Sequence, residues 1–91
     1  MRHDVPWCPP IVQMSGGAVG HLLAWEMSEN DGSWRAWVSW VRETGGRHVH
    51  MVASVRAGSL QPLEDADAYS SVPRRVRSRD GLTRPWSGEA T

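Results

Sequence analysis

The chain of 91 residues contains no phenylalanine, one tyrosine and one cysteine. All ten of its basic residues are arginine, so lysine is absent too. A lone Cys8 excludes an intramolecular disulfide framework, the usual staple of a small secreted domain. No apolar run approaches the ~20 residues a membrane helix requires. Pro6, Pro9 and Pro10 interrupt the stretch where a signal peptide would carry its apolar segment. These absences point to a cytoplasmic protein with no membrane partner. No catalytic, cofactor or metal motif stands out, and a chain this short has little room for an enzyme-sized pocket. The expectation is therefore a non-enzyme with no cofactor and no small-molecule substrate.

Tryptophan is plentiful instead: six residues, with Trp25, Trp34, Trp37 and Trp40 inside one 16-residue window. Each brings a large apolar surface and an N–H that seeks a partner when buried. One small domain hides only part of that surface, so this window is expected to serve as both core and binding face.

The net charge is zero but unevenly spread. Residues 1–69 carry five arginines against eight acids, and residues 70–91 carry five arginines against Asp80 and Glu89. A mildly acidic body thus precedes a basic extension.

Residues 1–18 read as an irregular arm containing proline and glycine, in which Ile11 and Val12 can add a short edge strand. Residues 19–25 form the first clear strand, apolar on both faces. Asp31-Gly32 marks a hairpin tip. Residues 34–43 also fit a helical spacing. Their Trp and Val content and the bracketing Asp31-Gly32 and Gly45-Gly46 favour a strand. Residues 48–57 alternate cleanly, as a half-buried antiparallel strand does, and their length predicts a bend near Val52-Ala53. A turn at 58–63 and one helical turn within 64–69 follow. Asp80-Gly81 then closes a small hairpin within the basic extension. The polar end 87–91 is expected to fray.

Leu23-Ala24-Trp25, Asp31-Gly32, Trp34-Arg35-Ala36-Trp37-Val38, Gly45-Gly46, the alternating valines of 49–55 and Leu60-Gln61-Pro62-Leu63 occur in an order that resembles SH3-like barrels of the Tudor and chromo-barrel type. The resemblance covers residues 19–64. It implies a mainly β chain: a small antiparallel barrel of four to five strands at 19–64, an arm at 1–18, and a short helical turn with an Arg-rich extension at 65–91. The chain departs from that type by its extension and by having no Phe or Tyr within 19–64, which bears on the methyl-lysine cage associated with it. As a whole it resembles small actinobacterial proteins of unassigned function.

Three roles follow from these residues. In the first, Trp25, Trp37 and Trp40 form an aromatic face for a protein segment, with Arg35 and Arg56 orienting an acidic partner. Trp34 is expected to fill the core with one further Trp, beside Ala36, Val38, Val49 and Val55. The arm itself, with its polyproline-prone stretch 5–10, is able to cap the Trp face. In the second role, Arg74, Arg75, Arg77, Arg79 and Arg84 contact nucleic-acid phosphate. Against this stands an extension docked on its own body, answering Glu64, Asp65 and Asp67. In the third role, the Trp face is buried in a homo-oligomer. His48 and His50 share a strand face, but a metal would need His21, Cys8 or His3 as well, without a ligand spacing that supports it.

Overall fold

The computed structural model describes residues 8–86. His3, residues 5–7 of the stretch 5–10 and the end 87–91 lie outside them. The described chain is mainly β. Its strands are β1 (Ile11–Gln13), β2 (Val19–Ser28), β3 (Trp34–Thr44), β4 (Arg47–Arg56), β5 (Gln61–Pro62), β6 (Arg74–Arg77) and β7 (Thr83–Pro85). A 3-10 turn spans Ala57–Ser59, and the one-turn helix α1 spans Ala66–Tyr69.

Five strands follow one path, β4-β3-β2-β1-β5, and the hairpin β6–β7 attaches to β2. The sheet curls into a half-barrel compatible with an SH3-like barrel. No helix among the described residues is long and apolar enough to cross a membrane.

The centre of the sheet is the meander β2–β3–β4. Gly45 and Gly46 both take positive φ, 58° and 80°, as a two-residue hairpin turn demands. β4 then pairs with β3 without interruption from Arg35↔Arg56 to Thr44↔Arg47. The bend expected near Val52-Ala53 is absent, because the β3 partner is as long as β4 and every residue keeps its register.

The irregularity lies in β2 instead. Leu22 pairs with Val38 and Ala24 with Trp37, which leaves Leu23 as the extra residue of a β-bulge. The bulge reverses the alternation. Leu22 faces the core, and so does Trp25, opposite Ala36; Ala24 and Glu26 face the other way with Trp37. Val12, Leu22, Ala36, Val38 and Val72 form the buried cluster, with Met14, Trp25, Trp40, Val55, Leu60 and Tyr69 packed against it.

The far edge of β2 is divided between two strands. β1 pairs antiparallel with its first half, Val19 to His21, and β6 pairs parallel with its second half, Trp25 to Ser28. At the junction, Leu22 N–H donates to Pro10 O (2.8 Å) and Trp25 N–H to Pro73 O (2.8 Å). Two segments expected outside the barrel are thus ordered strands of its sheet. The parallel pair also departs from the all-antiparallel expectation. It is reached through a long connection that contains β3, β4, β5 and α1, as parallel neighbours require.

The arm is fastened by side chains. Tyr69 Oη–H donates to Ile11 O (2.5 Å) and accepts from Leu63 N–H (2.9 Å) and Glu64 N–H (3.0 Å). Glu64 Oε2 accepts from Ile11 N–H (2.7 Å). Ile11 is therefore held on its far side by Glu64 and Tyr69 and on its near side by β2.

Candidate functional site

The bulge at Leu23 sorts the aromatic and charged side chains onto two faces. On the core face, beyond the buried cluster, Trp25, Trp34, Tyr69, Arg74 and Trp86 line a groove of about 690 Å³. That is within the usual size of a ligand site. Ala57, Ala66 and Ser70 complete its walls. Trp34 and Trp86 meet edge to face, with centroids 5.4 Å apart at 81°. Arg74 Cζ lies 5.5 Å from the Trp86 centroid, a cation–π distance.

The β6–β7 hairpin brings Arg74 and Trp86 together. Arg75 pairs with Pro85, so the next positions outward are Arg74 and Trp86. Trp86 N–H donates to Arg74 O (3.0 Å) and extends that ladder by one bond. The Asp80-Gly81 tip fixes the register. Asp80 accepts from Ser78 Oγ–H and from Leu82 N–H (3.2 Å). These bonds, that of Ser78 foremost, hold its carboxyl below the usual carboxylate range.

The opposite face carries a buried carboxylate. Glu26 is 5% exposed. Its Oε1 accepts from Trp37 Nε1–H (3.0 Å) and Arg75 Nε–H (2.9 Å), and its Oε2 accepts from Arg77 Nε–H (2.7 Å). Arg75 Cζ also lies 5.6 Å from the Trp37 ring. Burial raises the Glu26 pKa, but the bonds from Arg77, Trp37 and Arg75 and the Arg77 charge outweigh it. The carboxyl lies below its ordinary value of 4.5. A charge in this position is tolerated because each of its oxygens is bonded.

The residues expected at a partner face are divided between the two sides. Arg35, Trp37 and Arg56 share the face of Glu26, while Trp25 and Trp40 turn to the core side. Trp25 and Trp40 pack against the buried cluster, and Trp25 also lines the groove. Arg35 is engaged with Ser54, donating to Oγ (2.7 Å) and O (2.9 Å). Trp34, assigned to the core from the sequence, stands in the groove wall, and Val49 is exposed.

The arginines of the extension are mostly engaged as well. Arg75 and Arg77 are paired with Glu26, and Arg84 with Glu29. The extension does dock on the body, but on Glu26 and Glu29 rather than on Glu64, Asp65 and Asp67. Arg79 is exposed in the turn. Among the described residues Arg74 has no carboxylate partner. No group of three or more His, Cys, Asp or Glu residues able to hold a metal occurs among the described residues.

Sequence reasoning missed the groove because Trp34 and Trp86 lie far apart in the chain. The available signal was the Asp80-Gly81 hairpin, whose register sets Trp86 against Arg74. No protein-family model, curated protein or solved structure matches the chain.

Proposed function

We propose that the protein is a non-catalytic recognition module that seats an extended protein segment in the Trp25–Trp34–Trp86 groove, with Arg74 pairing a carboxylate of that segment. The observation that carries this reading is the state of Arg74. Three other arginines of the extension are ion-paired, two with Glu26 and one with Glu29. Arg74 instead stands over Trp86 in an apolar, aromatic-lined groove. Such grooves suit polyproline-type segments, whose ordering cost is low. A planar guanidinium at the wall suits a carboxylate.

The Tudor and chromo-barrel resemblance would place a methylated lysine in an aromatic cage. Here Arg74 already supplies the cation, so a second one would meet like charge. An anionic segment fits better. The internal pairing of Arg75, Arg77 and Arg84 leaves only Arg74 and Arg79 of the extension without a carboxylate partner among the described residues, which favours a protein segment over nucleic acid at this extension.

The test is Trp emission of the full chain titrated with a blocked peptide of alternating proline and glutamate. A saturable change is expected. Arg74→Ala and Trp86→Ala should each weaken it by about tenfold, the factor carried by ~1.4 kcal/mol. An unchanged emission would overturn the reading. Quenching by single-stranded DNA that falls steeply with salt would replace it with nucleic-acid binding.

A further inference from the structure

The edges of the sheet are finished unequally. β5 is two residues long and ends in Pro62; β7 is three residues long and ends in Pro85. Short strands and proline are the usual means of closing an edge to further pairing. The edge of β4 has neither. It runs for ten residues from Arg47 to Arg56, contains no proline, and each of its residues is exposed or half-buried. At about 3.3 Å per residue it offers some 33 Å of strand edge. Val49 and Val52 on β4, and Val41 beside it on β3, are among the large apolar residues left exposed.

We propose that β4 is the interface of a homodimer in which two copies pair their β4 strands antiparallel across a two-fold axis, joining two half-barrels into one continuous sheet. Among the described residues β4 pairs with β3 alone, and the free amides and carbonyls of such an edge define the chemistry of the occupant, which is another extended strand. A second copy is favoured over a foreign strand for two reasons.

The first is closure. Pairing like edge with like edge consumes the open edge of both copies and ends the assembly at two. A foreign strand would bring a second edge and leave it open.

The second is charge. β4 has no acidic residue, and Arg47 and Arg56 sit at its ends. Antiparallel pairing places the centre of the strand, Val49 to Ser54, which holds no arginine and no acid, against a stretch of its own copy that holds none either. In the two registers that put Met51 or Val52 on the axis, no arginine stands opposite an arginine. The inference is independent of the groove, none of whose lining residues belongs to β4.

Sedimentation of the full chain from about 1 to 500 µM tests it, because dimer stability depends on protomer concentration. A monomer–dimer equilibrium is expected. Val52→Lys should weaken it by about tenfold or more. Leu82→Lys, at an exposed position in the β6–β7 turn, should leave it unchanged. In a Cys8→Ser background, Met51→Cys or Val52→Cys should cross-link under mild oxidation. The cross-link decides the matter if circular dichroism shows that Val52→Lys has lost its fold. A monomer throughout the range would overturn the proposal. So would a dimer that survives Val52→Lys and cross-links at neither position.

Discussion

Replacing Glu26 by glutamine keeps the size of the side chain and removes its charge. In the native chain three donors converge on this carboxylate, two of them guanidiniums from β6. Glutamine retains one carbonyl oxygen, so at least one donor loses its partner and both arginines lose their counter-charge. A hydrogen bond to a charged group contributes roughly 1.5–3 kcal/mol where it is buried. The Arg75 and Arg77 side chains are 38% and 42% exposed and can turn to water, so the low end applies. The expected loss is about 2 kcal/mol, or about 8–16 °C in Tm for a domain of this size. Thermal unfolding followed by circular dichroism measures it.

The pH dependence supplies a second check on the same residue. The folded pKa of Glu26 lies below its ordinary value of 4.5. Its contribution is therefore fully present above 4.5 and is lost as the pH falls through the lower, folded value. The gap between wild type and Glu26→Gln should be widest near neutrality and close in acid. A variant within about 2 °C of wild type at pH 7 would refute the account of the clamp, as would a gap that persists unchanged into acid.

Two further substitutions probe the packing. At Gly20 an added Cβ would sit 2.7 Å from Ser39 O and 2.7 Å from Val38 Cγ1. Gly20→Ala should cost about 1–3 kcal/mol in urea unfolding, since a backbone oxygen has little freedom to withdraw. Tyr69→Phe removes the hydroxyl shared by Ile11, Leu63 and Glu64. It should cost about 1–2 kcal/mol and speed amide exchange selectively in β1 and at residues 63–64.

The meander β2–β3–β4 was legible because its signals are local: alternating apolar residues, a Gly-Gly turn and an Asp-Gly turn. The one-turn helix and the β6–β7 hairpin were legible for the same reason. The bulge at Leu23 was not, because a run of Leu22, Leu23 and Ala24 reads as apolar on either face. That single residue decides that Trp25 lines the groove while Trp37 bonds Glu26. The parallel pairing of β6 with β2 links residues 49 positions apart, such as Glu26 and Arg75. Nearby acids at 64–67 were the better match by proximity, and topology overrode proximity.

The placement of β6 ties the two faces of the sheet to one event. Arg74 looks into the groove from this strand, while Arg75 and Arg77 reach the Glu26 clamp on the reverse side. A segment seated against Trp34 and Trp86, as proposed above, would require the strand to be docked, and so does the clamp. On that proposal, occupancy of the groove and closure of the clamp would be thermodynamically linked, each strengthening the other by the same factor. On the proposed function, a carboxylate that does not line the groove would help to set the affinity of the seated segment, and that affinity would fall in acid as Glu26 loses its charge.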